Sequence, residues 1–474
     1  MGSQPTRIVS DVARRIMLEI RREVRERLGP DATFEQRRDA AAALASDALW
    51  LDADEELREA ITTAEEVEVA GHRYHRLEQA SSATYHSRWG NHHVEEPLYR
   101  EVGIHNGPTI KPIELRVGII EHMTPDMARI VGELSADRSS RGVERTLRAT
   151  GLVPPSRAFL AKRTTEIGIE IADHVGVLEQ VARETELVPA DIASVSTGLD
   201  RMSVRMSEPA DPATACPPTR TEPYERTPPP PKEHHYRKAW VGSTSVYDAQ
   251  GNELHTWRYA VEAAADPTAL ADRVAKDVAW ILKAHPGIPI HCVQDAAPEL
   301  DRLPEALAST LPTNTRVVQL VDFEHLMEYL EDVVDTCEPE GDPHDWKGWY
   351  RSLLLRDDNA IDTIWRKLRD LAKRLPGRGT DARNAVAAAL SYIRSRKAKM
   401  RYATHYAANL PIGSGATEST CWQMQQRVKL PGQSWDKPGL RGILAMRALV
   451  LSDRWLAAWQ PYAATHRKVV RAAA

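Results

Sequence analysis

Apolar residues recur at every fourth position near the start of the chain, at Ile8, Val12, Ile16, Ile20, Val24 and Leu28, with charged residues between them. That period predicts an amphipathic helix, and Gly29-Pro30 stops it. A second helix is expected from Phe34 to about Glu65, carried by Leu44, Leu49, Leu51, Leu57 and Ile61. Together they make residues 1–65 a helical N-terminal region, with a bundle or a dimer contact as the simplest use for its apolar faces. Residues 66–120 change period: EVEVAGHRYHRLEQ and SATYHSRWGNHHVEE alternate apolar and polar positions and predict a small β-rich module.

Residues 121–185 return to helical spacing, in three pieces. TPDMARIVGELSA opens with Thr124 as N-cap and Pro125 in the first turn. SSRGVERTLRATG closes on Gly151, LVPPS makes a turn, and SRAFLAKRTTEIG starts on Ser156. The order is that of a helix-turn-helix, with Arg157, Lys162 and Arg163 on the third helix where a recognition helix would present them to DNA. The same three helices also fit an ordinary bundle that touches no DNA.

From Val195 to Val334 the pattern reads strand, two-stranded hairpin, helix, strand, helix, strand, helix. The first strand, ASVSTGLDRMSVRM, alternates around Asp200. A Pro-rich loop, residues 207–235, follows it. The hairpin turns at Asp248 to Gly251, IPIHCVQD is a buried strand ending at Asp295, and VVQLVDFEHL is a strand that enters a helix at Asp322. Residues 335–410 are helical and contain Trp346, Trp349 and Trp365. Residues 411–474 begin with a Gly-Ser-Gly turn before Glu418 and end in amphipathic helix.

Composition is that of a globular chain, 42% hydrophobic and 27% charged, without an apolar run long enough to span a bilayer. The first residues lack the apolar stretch of a secretory signal, and the four cysteines form no C-x-x-C pair. A reducing cytoplasm is the expectation. His72, His75, His86, His92 and His93 invite a zinc reading, but no cysteine joins them at zinc spacing. The net charge of −5 conceals an asymmetry. Residues 361–474 hold 21 Lys and Arg against 6 Asp and Glu, a balance of +15, which leaves −20 for the remainder. A basic C-terminal quarter suits a polyanion-binding surface, or a bundle with solvated basic faces.

The strand order predicts the sheet of an RNase H-like core spanning 190–334 and 411–474, in which the first and fourth strands are neighbours. Asp200 and Asp295 would then meet, and Glu418 would join them from a helix packed on the sheet. The Gly-rich turn before Glu418 is no P-loop, since no Lys follows its second glycine. Three carboxylates without cysteine suit Mg²⁺, or Mn²⁺ in its place, and such a site can cut or join phosphodiesters. Gly413 and Gly415 would allow a tight turn and close approach of a DNA strand. Each acid also has a plainer role: Asp200 as a strand-edge charge, Asp295 as the N-cap of the next helix, Glu418 as a first-turn complement to a helix dipole. Asp322 and His325 share a helix face, to orient a water, contact a phosphate, or cap the helix. Arg427, Lys429, Arg441 and Arg447 are candidates for phosphate contacts or for solvated surface.

VSTGLDRMSV, HCVQDAAPEL, LVDFEHLMEYL and GSGATEST, with QQRVKLPGQSW and GLRGILAMRALVLSDRW beyond, resemble bacterial insertion-sequence DDE transposases of the ISKra type, in the Mutator-like group. The resemblance runs from about residue 70 to the C-terminus. It implies an α/β fold: an RNase H-like mixed-sheet catalytic core with an all-helical insertion at 335–410, plus a helical N-terminal DNA-binding region. It implies a triad of Asp200, Asp295 and Glu418 with Mg²⁺, and Asp322 with His325 as an accessory pair. Ala296 stands where the family usually has Gly. The implied partners are the transposon's terminal inverted repeats and target DNA, bound by a homodimer or higher homo-oligomer that joins two ends. A domesticated, catalytically inactive DNA-binding relative is the alternative. A stand-alone RNase H-like nuclease is a third reading, and the length of the chain argues against it.

Overall fold

The computed structural model describes residues 10–210, 232–262, 266–295, 297–337, 343–375 and 379–473. The chain is mixed α/β and divides into two units, one of residues 1–167 with 459–474, the other of residues 168–458. Among the described residues no helix is long and apolar enough to cross a membrane.

In the first unit, α1 (Asp11–Leu28) is capped by Ser10 and ends at Gly29, whose φ of 72° is left-handed. Its apolar stripe does not become core: Val12 and Ile16 are more than half exposed, and only Val24 is buried. Ile8 lies outside the described residues. α2 (Phe34–Glu59) opens with a capping box between Thr33 and Gln36. It stops six residues before the expected Glu65, so Ile61 belongs to the following loop.

The β module is an antiparallel sheet of β1 (Glu66–Val69), β2 (His72–Ser87), β3 (Gly90–Glu101) and β4 (Thr109–Ile110), with β10 (Val470–Ala472) added beside β1. That last strand comes from the C-terminal residues that the sequence pattern assigns to the core. The histidines do not converge. His92 is buried between Asp54 (3.1 Å) and Ser87 (2.8 Å) and stacks on Trp50, while His72, His86 and His93 pair with Glu101, Asn91 and Thr84.

After α3 (Pro112–Val117) come α4 (Pro125–Asp137), α5 (Ser140–Ala149) and α6 (Arg157–Thr185). The three expected helices are present, and Gly151 closes the second with a φ of 78°. The third is not short: α6 runs 29 residues.

The second unit is built on a mixed sheet. Its strands are β5 (Ser194–Pro209), β6 (Lys232–Tyr247), β7 (Glu253–Val261), β8 (Ile290–Gln294) and β9 (Val317–Val321), in the order β7-β6-β5-β8-β9. β5, β6 and β7 pair antiparallel, and β8 and β9 run parallel to β5. The ladder of β5 and β6 reaches Pro209 and Lys232, so the ends of the expected 207–235 loop are strand. Its middle, residues 211–231, lies outside the described residues, as does Ala296. Asp248 closes the β6–β7 hairpin by accepting from the backbone of Gln250 and Asn252, with Gly251 at a φ of 82°.

One face of the sheet packs on α7 (Thr268–Ala284) and α8 (Arg302–Thr310), through Leu199, Trp257, Tyr259, Val274 and Leu303. The other carries α14 (Gly415–Val428) and α15 (Lys437–Leu451), which is followed by α16 (Trp455–His466). Strand alternation sorts neighbours to opposite faces: Leu199 enters the α7 core, while Gly198 and Asp200 face α14. A separate core gathers α9 (Phe323–Cys337), α10 (Pro343–Leu354), α11 (Ala360–Arg374) and α12 (Thr380–Arg394), with Tyr402 just before α13 (Ala403–Ala407). Trp346, Trp349 and Trp365 pack against it.

A charged network crosses the α7 side. Asp277, fully buried, accepts from Arg183 at 2.6 Å, from Arg454 at 2.5 Å and from the Tyr259 hydroxyl. Glu186 takes a second bond from Arg454 and one from the Trp257 indole. Removing one partner of such a set leaves buried charge uncompensated. Asp277→Ala should therefore lower unfolding stability by about 3–5 kcal/mol, measurable by urea denaturation.

Candidate functional site

The parallel pair β5–β8 is in register at Val195 with Ile290, Ser196 with His291 and Thr197 with Cys292. Continued along both strands, that register sets Asp200 opposite Asp295. α14 lies across β5 here because Gly198 leaves room for it. A Cβ at Gly198 would sit 2.4 Å from the Val293 carbonyl oxygen and 2.8 Å from Thr417 Oγ1, whose hydroxyl instead bonds Ser243 at 2.7 Å.

Asp200 accepts the Cys421 thiol at 3.1 Å and its neighbour Arg201 N–H at 2.7 Å. Burial, then Asp200 and Glu418, push the Cys421 thiol far up, so it stays protonated and donates. Asp295 receives the Tyr392 hydroxyl at 3.3 Å. It does not cap the next turn: the 3-10 segment Pro298–Asp301 begins after Ala297, without a side-chain cap. Glu418, in the first turn of α14, is half exposed and takes the Ser414 hydroxyl at 3.0 Å.

Asp322 realises the capping role. Its Oδ1 accepts the His325 N–H at 2.7 Å at the start of α9, and its Oδ2 accepts the Ser414 N–H. Its own N–H bonds the Gln294 carbonyl, and Phe323 N–H bonds Ile412. Burial alone would raise the Asp322 pKa, but the hydrogen bonds from His325 and Ser414 prevail and hold it at about 2. The His325 imidazole lies 3.5 Å from Asp322 and 3.9 Å from Glu418. Asp322 first, against burial, then Asp295, raise His325 to about 9, which makes it a cation at neutral pH.

Gly413 and Gly415 have no positive φ, so the turn does not demand glycine for its backbone. Nor does space demand it: nothing lies within 4 Å of a Cβ at Gly415, and at Gly413 only Asp322 comes within that range, at 3.7 Å. Sequence reasoning passed over Cys421, Tyr392 and Ser414. For Cys421 and Ser414 a signal existed, since they stand three residues after and four before Glu418, on its helical face. It also passed over Arg396 and Lys399, which line a cleft of about 250 Å³ beside Asp295.

The other basic candidates divide. Arg157 and Lys162 are exposed on α6, beside Glu144 and Glu166. Arg163 is mostly buried between Glu121 (2.6 Å) and Glu166 (2.7 Å), so it serves the fold rather than a DNA surface. Arg427 is buried beneath Trp435, and Arg447 is buried on the Gln423 carbonyl, for the same outcome. Arg441 pairs with Asp173, and Lys429 is exposed past the end of α14.

Among the described residues, Asp322, His325 and Glu418 bring one ligand atom each within 4.8 Å of one another. A cation centred there would compete with the His325 proton and with the two N–H groups that Asp322 already accepts. Asp200, Asp295 and Glu418 do not make a second such group among the described residues: Glu418 gathers with Asp322 and His325, while Asp200 holds the Cys421 thiol, which stays neutral, and Asp295 the Tyr392 hydroxyl. Comparison with protein-family models, with characterised proteins and with solved structures yields no match.

Two measurements check this geometry. Gly198→Ala should cost about 1–3 kcal/mol of stability by overpacking against a backbone oxygen, read from the urea midpoint. The His325 ring should titrate by NMR with a midpoint near 9. Its contribution to stability is full below pH 6.5 and is lost as pH rises through about 9, so wild type and His325→Gln should converge in stability at high pH. Asp322 acts at the other end: its contribution is full above pH 3.8 and is lost as pH falls through about 2.

Proposed function

We propose that this chain is a DDE-type DNA transposase, similar to the ISKra-type enzymes of bacterial insertion sequences, that cuts and joins DNA strands with Mg²⁺ or Mn²⁺. The observation that carries the reading is the placement of the three acids: the β5–β8 register, continued, sets Asp200 opposite Asp295, and Cys421, one turn beyond Glu418 on α14, bonds Asp200. The strand order β7-β6-β5-β8-β9, with a helical cluster between Asp295 and Glu418, is the order expected of an RNase H-like core with an insertion. It supports the family reading on topology as well as on motifs.

Asp200, Asp295 and Glu418 would hold the divalent ions. The chemistry supplied by divalent ions at such a site would be Lewis acidity toward the attacking hydroxyl and the leaving oxygen of a phosphodiester. The chain's own groups set up that site. The Cys421 thiol, the Tyr392 hydroxyl and the Ser414 hydroxyl each hold one of the three carboxylates in place. The His325 imidazolium supplies a positive N–H donor for the phosphate at neutral pH. Arg396 and Lys399 line the cleft next to Asp295, where a polyanion would pass.

Helices α4 to α6, with Arg157 and Lys162 exposed, are the proposed contact for the terminal inverted repeats. A homodimer or higher homo-oligomer, acting in the cytoplasm on the DNA there, would bring two ends together.

The test is a cleavage and strand-transfer assay on DNA carrying the flanks of the gene's own locus. Metal-dependent nicking or joining is expected from the intact protein. Asp200→Asn, Asp295→Asn and Glu418→Gln should each reduce it by about 10²–10³-fold or more, without loss of thermal stability. Tight binding of the ends with no metal-dependent cleavage by the intact protein would favour an inactive DNA-binding relative instead.

A further inference from the structure

We propose that the cavity at the N-terminal ends of β8 and β9 binds a small hydroxylated aromatic carboxylic acid. The proposal is independent of the DNA reading. β8 and β9 are parallel, so this cavity lies at the opposite end of those strands from Asp295 and Asp322, which follow their C-terminal ends. It measures about 620 Å³, a volume ordinary for small-molecule sites. Leu282, Ile288, Pro289 and Leu410 give it apolar walls.

Its polar groups point to the ligand. His291 is wholly buried and lines the cavity, and neither of its ring nitrogens has a hydrogen-bond partner among the described residues. Leaving such a group unsatisfied is costly, so a buried, unpartnered imidazole facing a cavity calls for an occupant. His405 meets it edge-on, ring centroids 5.1 Å apart, and its Nδ1 is likewise unpartnered. Burial depresses both imidazoles, His291 to about 4, and each is therefore neutral at pH 7 with one N–H and one lone pair. A hydroxyl matches that pair because it donates and accepts at once.

At the rim stands Arg316, exposed and with no ion-pair partner among the described residues. The nearby Asp358 is occupied by the Thr404 hydroxyl and N–H. Arg316 thus offers a guanidinium to a carboxylate on the same ligand whose far end reaches the histidines.

The experiment is calorimetric titration of the full chain with 4-hydroxybenzoate, with benzoate and 4-hydroxybenzamide as controls. Saturable one-site binding is expected. Loss of the hydroxyl should weaken it about fivefold, and loss of the charge tenfold or more. Arg316→Gln should weaken 4-hydroxybenzoate about tenfold and leave 4-hydroxybenzamide unchanged, while His291→Phe should erase the preference for the hydroxyl. Arg316 is exposed, so its variant tests the site even where His291→Phe does not fold. Absence of saturable binding at millimolar concentration, or equal binding by the intact chain and Arg316→Gln, overturns the proposal; the two histidines then only pack on each other.

Discussion

A single buried carboxylate, Asp322, holds the candidate site together. Burying a charge is tolerable only when hydrogen bonds replace the water it loses. Asp322 meets that condition with two backbone N–H groups from distant parts of the chain, those of His325 and Ser414. The first bond starts α9 where β9 ends. The second anchors the Gly-Ser-Gly turn, and with it the position from which α14 begins. Glu418 stands one turn into that helix, so its place relative to Asp295 and Asp200 is inherited from Asp322.

The second constraint is spatial. The helix that carries Glu418, α14, lies close against β5, and that closeness depends on Gly198 having no side chain. The same helix face delivers Thr417 to Ser243 and Cys421 to Asp200. Several acids gathered at one end of a sheet repel one another, and His325 answers part of that repulsion with a positive charge. Neutral donors, a thiol, a phenol and a hydroxyl, stand beside the other three carboxylates, which are exposed or half-buried and keep their water.

Much of this was legible in the chain. Alternation around Asp200 and the apolar runs before Asp295 and Asp322 locate β5, β8 and β9, because strand period survives wherever one face is buried. Cys421 was legible in principle from its spacing to Glu418. Tyr392 was not, since it arrives from α12, nearly one hundred residues along the chain from Asp295. β10 was beyond reach for another reason: three residues carry no period, and their partner strand begins at Glu66. The stripe on α1 misled in the opposite sense, because periodicity reports an apolar face without reporting what covers it.

Charge shows the same limit most sharply. The surplus of +15 in the last quarter of the chain reads as a basic surface, yet an arginine count cannot separate a guanidinium facing solvent from one inside the fold. Arg427, Arg447 and Arg454 are all buried, holding Trp435, the Gln423 carbonyl and Asp277. Arginine suits such work because its flat, weakly hydrated head bonds in several directions while its stem packs. What a polyanion would meet is therefore set by position and not by the surplus. The basic groups placed to matter are those beside the carboxylates, Arg396 and Lys399 at the cleft next to Asp295 and His325 between Asp322 and Glu418, where positive charge lies within reach of the proposed chemistry.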